Sequence, residues 1–261
     1  MATATDRGDK PSVEIRPGVN RPDWSVLTSP QACQALAGRL ASRSGLLDRW
    51  AIRLEADADL VWRTIVRRYA ELGYAPTRTD IVAAGRIPGG DIETLLDTLR
   101  SHDLIGLDLA GEVKLTYPFT ETETGHRIHV GGNTLSALCA IDALGVAAML
   151  QMDIAISSSC HRCGEAVQVV TGAKGKALKS SMPVDAVVWY DFAYDGSAAT
   201  SCCPAITFFC SDEHRRRWLQ AQTPQRRGID LAMNEALQVG QAIFGPVLMD
   251  NGPSQRLPRP V

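Results

Sequence analysis

Residues 135–150 read LSALCAIDALGVAAML, and this strongly apolar segment anchors the interpretation of the chain. It carries a thiol at Cys139 and a carboxylate at Asp142, three positions apart. If the segment is helical, these two side chains lie on one face, so a nucleophile and a proton carrier project into the same pocket. A carboxylate in such surroundings is costly unless it is paired or functional. The segment therefore predicts a buried helix that bears a chemical site.

Short strands and helices are predicted on both sides of this segment. HRIHV (residues 126–130) alternates like a strand, and GGN (131–133) is typical of a turn. Strand patterns recur in MDIAISSS (152–159), AVQVVTG (166–172), DAVVWYDFAY (185–194) and AITFFC (205–210), whereas IDLAMNEALQVGQAIF (229–244) has helical periodicity. We expect an α+β protein whose residues 121–261 form a mixed catalytic domain of short strands and helices.

The region before residue 120 predicts a different, mainly helical unit. Residues 1–29 are polar and rich in Pro and Gly, which favours a flexible extension. Apolar residues recur at helical spacings from Pro30 onward. Thr77 and Asp80 resemble a capping box, Asp91 is a plausible N-cap for IETLLDTLRSH, and two short strands flank a turn at Ala110-Gly111. Helices followed by a hairpin predict a winged-helix-like domain over residues 30–120.

Composition and charge exclude several classes of function. The 261 residues are 45% hydrophobic with a formal net charge of −2, which suits one or two globular domains and offers no basic surface for nucleic acid. The candidate recognition helix carries Asp91, Glu93 and Asp97 against Arg100, so DNA binding is not expected. No segment has the length of a membrane span, and the start has no signal-peptide pattern. We expect a cytoplasmic protein without a membrane partner.

Seven cysteines in a reducing compartment are better interpreted as a site than as disulfides. One alternative is structural zinc, because Cys160-His-Arg-Cys163 has knuckle spacing and the adjacent Cys202-Cys203 pair offers further ligands. Another is a Cys/His hydrolase in which His126 or His129 activates Cys139. A buried cysteine also serves as a small apolar residue, which is our interpretation of Cys33 and an acceptable one for Cys210.

Several separated segments resemble one known family, the organomercurial (alkylmercury) lyases. They are YPFTETETGHRIHVGGNTLSALCAIDALG, SSCHRCGEAV, SCCPAITFF and NEALQVGQAIFG, in that order. The resemblance extends over about residues 60–244 and includes the winged-helix-like region. In one respect the chain departs from the family, which commonly has aromatic residues before its first catalytic cysteine, where this chain has Ser136-Ala137-Leu138.

The resemblance implies a role for each site residue. Cys139 is the thiol that captures an organomercurial, Asp142 is the proton carrier, and Cys202 is the second thiolate on mercury. Cys203 is a further candidate ligand beside Cys202, and Cys160 corresponds to the family's structural cysteine. Cys163 and Cys210 are additional thiols that would hold or pass on metal.

The implied activity is cleavage of a carbon–mercury bond by protonolysis, which gives a hydrocarbon and Hg(II) in mercury detoxification. Thiolates suit this chemistry because mercury is a soft cation. The resemblance implies no organic cofactor, free thiols for turnover, and small thiols or mercuric reductase as the acceptor of Hg(II). The alternative is a thiol-based metal-binding or metal-responsive regulator, which needs sulfur ligands but no proton donor such as Asp142.

Overall fold

The fold is described from a computed structural model, which defines residues 22–40, 56–85 and 91–249. Most of the predicted extension over residues 1–29, and the residues after 249, lie outside these ranges. Where the described chain begins, Trp24–Val26 forms a short 3₁₀ helix. The N–H of Asp23 donates to the carbonyl of Ala242 at 2.9 Å, so this segment contacts the last helix of the chain.

The described residues form seven α-helices and eleven strands. The helices are α1 (Pro30–Leu40), α2 (Ala56–Leu72), α3 (Arg78–Gly85), α4 (Ile92–Ser101), α5 (Ala140–Leu150), α6 (Asp212–Gln220) and α7 (Met233–Phe244). The strands are β1 (Ile105–Leu107), β2 (Val113–Thr116), β3 (Phe119–Thr120), β4 (Arg127–Val130), β5 (Asn133–Ala137), β6 (Ala155–Ser159), β7 (Ala166–Gly172), β8 (Ala177–Met182), β9 (Val187–Asp191), β10 (Thr207–Phe209) and β11 (Gly228–Ala232).

Two antiparallel sheets organise these elements. The larger has eight strands in the order β1-β2-β3-β5-β4-β6-β7-β8, and the smaller has the order β10-β9-β11. Helices α5 and α7 pack against each other. This architecture confirms the α+β prediction.

The local signals in the winged-helix-like region are confirmed. The N–H of Asp80 donates to Thr77 Oγ1 at 3.2 Å, and the N–H of Thr77 donates to Asp80 Oδ2 at 3.0 Å, which is the predicted capping box at the start of α3. Asp91 occupies the N-cap of α4 without a side-chain capping bond. Strands β1 and β2 pair around a turn at Gly111, whose φ of +78° is a conformation that glycine adopts without strain. The proposed boundary near residue 120 stays a prediction, and the larger sheet is continuous across it.

Two apolar segments are divided differently from the prediction. In residues 135–150, Leu135 belongs to strand β5 and the helix begins at Ala140. In residues 229–244, Ile229 belongs to strand β11 and the helix begins at Met233. In both cases an apolar strand runs into an apolar helix, and short apolar runs do not by themselves distinguish the two states.

Helices α5 and α7 approach each other closely because a glycine lies on each at the crossing. A Cβ on Gly145 would lie 2.4 Å from the ring of Phe244 and 2.9 Å from the carbonyl oxygen of Gly240. A Cβ on Gly240 would lie 2.8 Å from the backbone N of Gly145. Because α5 begins beside Cys139, this contact fixes the position of the helix end that carries the site.

Among the described helices, none combines the length and the apolarity that crossing a lipid bilayer requires.

The close crossing predicts that Gly145→Ala is destabilising although alanine favours helices. The new methyl would meet the Phe244 ring and a backbone oxygen, so the helices must separate. We expect the free energy of unfolding to fall by about 1–3 kcal/mol, measured by denaturant titration. The control is Gly172→Ala, where a Cβ would meet its nearest neighbour at an ordinary 3.6 Å and stability should change little. Equal stability of the two variants would contradict the close crossing.

Candidate functional site

Cys139 lies at the junction between strand β5 and helix α5, where it forms the N-cap of the helix. Its Sγ accepts a hydrogen bond from the backbone N–H of Asp142 at 3.4 Å. The predicted proximity of the thiol and the carboxyl group is therefore present, although Cys139 precedes the helix instead of lying within it. Both side chains are buried, with Cys139 2% and Asp142 5% exposed.

The adjacent pair Cys202-Cys203 enters the same site from a short turn before β10. Cys203–Ala205 forms a 3₁₀ helix, and the carbonyl of Ile206 accepts a hydrogen bond from the N–H of Ala140 at 3.0 Å. This bond joins the turn directly to the beginning of helix α5. The Cys203 thiol lies 3.9 Å from Asp142 Oδ2, as a potential hydrogen-bond donor to that oxygen.

The thiols and the carboxyl group line one small cavity of about 30 Å³. A cavity of this size holds roughly one water molecule or one heavy atom. The Sγ atoms of Cys139 and Cys203 and a carboxylate oxygen of Asp142 all lie within 4.8 Å of one another. Cys202 lies on the cavity wall beside them. The remaining lining residues are apolar or aromatic except for one arginine: Arg39, Ile141, Tyr190, Ile206, Ile243 and Phe244.

Arg39 is the site residue that the sequence analysis did not find. It lies on α1, where the sequence analysis found only apolar residues at helical spacings, and its side chain is 2% exposed. Its guanidinium donates to the carbonyl of Asp191 at 2.8 Å and contacts the Tyr190 hydroxyl at 3.4 Å. It lines the cavity together with Cys202, and its charge lowers the pKa of that thiol. A single arginine after an apolar helical pattern resembles any surface cation, so the sequence offered no signal for this role.

Burial and nearby charge give the ionisable groups in the cavity different pKa values. A hydrogen bond from Cys203 and the charge of Arg39 lower the pKa of Cys202 to about 7, despite the opposing effect of burial. Burial raises the pKa of Cys139 to about 11. It also raises the pKa of Asp142 to about 7. Hydrogen bonding to its neighbours and burial also raise the pKa of Cys203 well above its ordinary value. At neutral pH the cavity therefore holds one readily ionised thiol, two protonated thiols, and a carboxyl group that exchanges its proton easily.

The winged-helix-like region positions the loop that leads to Cys202. Asp103 Oδ2 accepts hydrogen bonds from the hydroxyl of Tyr194 at 3.1 Å and from the N–H of Ala198 at 2.9 Å. The hydroxyl of Tyr117 accepts a further bond from the N–H of Ala199 at 3.0 Å. Residues before position 120 thus determine where the loop before the cysteine pair lies.

No histidine lines the cavity, which argues against a Cys/His hydrolase. His126 Nδ1 bonds to Ser158 Oγ at 2.8 Å, and His129 bonds to Thr134 and Ser157. Cys33 is half-buried, with its Sγ 3.9 Å from the carbonyl of Leu27, in agreement with a packing role.

Cys160 belongs to a second cluster with Cys163, Cys210 and His214, outside the cavity. The zinc alternative of the sequence analysis, in which Cys202 and Cys203 complete a Cys160–Cys163 site, is therefore wrong in its second pair of ligands. The cysteine pair is held instead at the start of α5 by the bond between Ile206 and Ala140.

Comparisons with known proteins agree on one family. The family model MerB, alkylmercury lyase, matches residues 119–245. The alkylmercury lyase of Staphylococcus epidermidis is 29% identical over 195 residues, which is 74% of this chain and 85% of that protein. The alkylmercury lyase of Bacillus cereus is 29% identical over 154 residues, covering 59% of this chain and 68% of the relative.

A solved crystal structure also matches the fold of this chain. The crystal structure of the mercury-bound form of MerB2 superimposes with a TM-score of 0.66 at 25% identity. The match covers 78% of this chain and 97% of that one.

The charge of Arg39 predicts how the Cys202 thiol responds to pH. Without that charge the thiolate loses a stabilising partner, so Arg39→Met should raise the pKa of Cys202 above about 7. The rate at which a small methanethiosulfonate reagent labels Cys202, followed by peptide mass spectrometry, should then reach its plateau at higher pH. Arg39→Lys keeps the charge and should restore most of the profile. An unchanged profile in folded Arg39→Met would contradict this role.

Proposed function

We propose that this chain, which belongs to the alkylmercury lyase family, cleaves the carbon–mercury bond of organomercurials through Cys139, Asp142 and Cys202. It is an enzyme of mercury detoxification that releases a hydrocarbon and Hg(II) by protonolysis. The observation that carries the residue assignment is the shared cavity, in which buried thiols meet a buried carboxyl group that exchanges a proton near neutral pH. A soft cation needs the thiols, and a carbon leaving group needs the proton.

Cys202 makes the first attack. Because its pKa is lowered to about 7, a substantial fraction is thiolate at neutral pH, whereas Cys139 is protonated. The thiolate forms a sulfur–mercury bond to R–Hg–X and displaces the exchangeable ligand X as an anion. Arg39 positions and stabilises the Cys202 thiolate without contacting the reacting carbon. This order differs from the one that the family resemblance implies, in which Cys139 captures the substrate.

Cys139 and Asp142 then complete the reaction together. The ionised carboxylate takes the proton of the Cys139 thiol, and the new thiolate forms a second sulfur–mercury bond. Two thiolates raise the electron density on mercury and on the attached carbon. Protonated Asp142 transfers its proton to that carbon, the carbon–mercury bond breaks, and R–H leaves while Hg(II) stays on two sulfurs. The raised pKa of Asp142 suits both directions of proton transfer.

Cys203 is a third thiol within reach of mercury. Its Sγ lies within 4.8 Å of Cys139 Sγ and of the Asp142 carboxylate, and its hydrogen bond to Cys202 contributes to the lowered pKa of that neighbour. We assign it an assisting role: it supports the Cys202 thiolate and offers the product a further sulfur ligand. Cys202 remains the preferred second thiolate because it is the more easily ionised of the pair.

Repeated turnover requires an acceptor that removes Hg(II) from the two cysteines. Hg(II) bound by two thiolates dissociates slowly into water, so the acceptor must itself be a thiol. Small cellular thiols or the cysteines of a mercuric reductase have this chemistry, and both belong to a reducing cytoplasm. The protonolysis is redox-neutral and each of its groups is a side chain of this chain, so it requires no organic cofactor.

A metal-responsive regulator is the less favoured function. Such a protein needs sulfur ligands but no proton donor. The burial of Asp142 has a desolvation cost that a purely thiol-based binder would avoid by an apolar residue at this position.

Serine variants of the thiols test the proposal. Cys139→Ser and Cys202→Ser should each lower hydrocarbon release by at least about 100-fold, because a hydroxyl is a poor ligand for a soft metal. The measurement is gas chromatography of benzene or methane from phenylmercury or methylmercury with excess free thiol. Cys33→Ser is the control and should leave the rate unchanged, whereas Cys203→Ser should retain measurable turnover.

Two results would contradict the assignments. Absence of hydrocarbon from folded wild-type protein would remove the proposed activity. Full activity of Cys202→Ser together with loss of activity in Cys203→Ser would mean that Cys203, and not Cys202, is the second thiolate on mercury.

A further inference from the structure

Four side chains of metal-ligating types meet outside the cavity of the lyase site, and one of them is exposed to solvent. They are Cys160, Cys163, Cys210 and His214, and one donor atom from each lies within 4.8 Å of the donor atoms of all the others. The first two belong to the turn between β6 and β7. Cys210 follows strand β10, and His214 lies in the first turn of helix α6. Two segments that are far apart in sequence therefore converge on one point.

The turn that bears Cys160 and Cys163 has the geometry of a metal-binding knuckle. The N–H of Gly164 donates to the carbonyl of Cys160 at 2.8 Å, and Gly164 has a φ of +78°, which allows the chain to reverse without strain. The N–H of Cys160 also donates to the carbonyl of Glu165 at 2.7 Å, so the two ends of the turn are joined.

The second pair of donors is held by the start of helix α6. Ser211 is the N-cap of this helix and accepts a hydrogen bond from the N–H of His214. Cys210 precedes the N-cap and lies outside the helix, yet the start of the helix brings the imidazole of His214 beside its thiol. The imidazole Nδ1 lies 3.0 Å from Cys210 Sγ.

The distances between donors fit a tetrahedral ion. Zinc bonds of about 2.3 Å to sulfur and about 2.1 Å to nitrogen place two sulfurs about 3.8 Å apart, and a sulfur and a nitrogen about 3.6 Å apart. Cys163 Sγ and Cys210 Sγ are 3.8 Å apart, and Cys160 Sγ and His214 Nδ1 are 3.7 Å apart. The pair Cys210–His214 is closer, at 3.0 Å, a hydrogen-bond distance that metal binding would replace by two metal bonds.

We propose that Cys160, Cys163, Cys210 and His214 bind a structural Zn²⁺ ion with Cys₃His coordination. Four protein ligands leave no open position for water, which is typical of structural zinc and not of catalytic zinc. The ion enters from the surface, since Cys163 is exposed while Cys160 and Cys210 are buried. Binding exchanges the protons of the three thiols for the metal and involves no redox change.

The position of the ion explains what it would stabilise. Two of the ligands, Cys160 and Cys210, belong with Trp189 and Phe209 to a small apolar cluster that is separate from the main core. A cluster of this size buries little apolar surface and so stabilises this part of the fold only weakly. Small structural units commonly gain the missing stability from a bound metal ion. The ion would also fix the end of the segment that begins with Cys202 and ends at Cys210, and so support the thiol pair from outside the site.

Metal analysis of protein purified under reducing conditions, without chelator, tests this proposal. Mass spectrometric elemental analysis should find about one zinc per chain. Cys163→Ser should lose the zinc, and since Cys163 is exposed this change costs no apolar packing. Cys163→His supplies another zinc ligand and should retain the metal. A chelator should lower the melting temperature of wild-type protein but not of Cys163→Ser.

The controls separate this site from the lyase site. Cys139→Ser and Cys33→Ser should both keep the full zinc content. Zinc that is lost in Cys139→Ser and kept in Cys163→Ser would overturn the proposal, because the metal would then lie on the thiols of the cavity. Reduced wild-type protein that neither contains zinc nor binds it when titrated would also overturn it, as would a disulfide between Cys163 and Cys210. None of these readouts depends on hydrocarbon release.

Discussion

The burial of one carboxyl group among thiols is the constraint on which the rest of the site depends. Asp142 is 5% exposed, and its burial raises its pKa to about 7. An ionised carboxylate in that position is expensive, which in the proposed reaction lets its proton pass to neighbouring groups and to the carbon that leaves mercury. The same low polarity raises the pKa of the Cys139 thiol to about 11, so under the proposed mechanism that thiol keeps its proton until the carboxylate of Asp142 takes it.

The fold keeps this unfavourable arrangement in place from several directions. The contact between Gly145 and Gly240 fixes helix α5, and the hydrogen bond from Ala140 to Ile206 joins its first residue to the turn with the cysteine pair. Asp103, from the winged-helix-like region, holds the loop before that pair. The site therefore combines segments from nearly the whole described chain. The winged-helix-like region contributes to the site by holding this loop, and this contribution explains its presence without a role in nucleic-acid binding.

Sequence alone predicted those parts of the site that lie close together along the chain. Cys139 and Asp142 are three residues apart in an apolar segment, and local spacing was enough to place them together. Arg39 is far from them in sequence, and only the packing of α1 brings its charge to Cys202. The sequence likewise did not predict His214 as a partner of Cys160, because their contact depends on how α6 packs beside the turn between β6 and β7. The predicted boundaries between strand and helix were wrong where one apolar run contains a strand followed by a helix, as at Leu135 and Ile229.

Trapping the reaction before proton transfer tests the central claim most directly. Asp142→Asn preserves the shape of the side chain and removes the desolvation cost of a charge, so the protein should fold, but the amide cannot carry the proton. With phenylmercury, intact-mass spectrometry should show the organomercurial retained on the cysteines, while gas chromatography detects little benzene under conditions in which wild-type protein releases it. Release of benzene by Asp142→Asn at the wild-type rate would contradict the account, because the proton would then come from a thiol or from water.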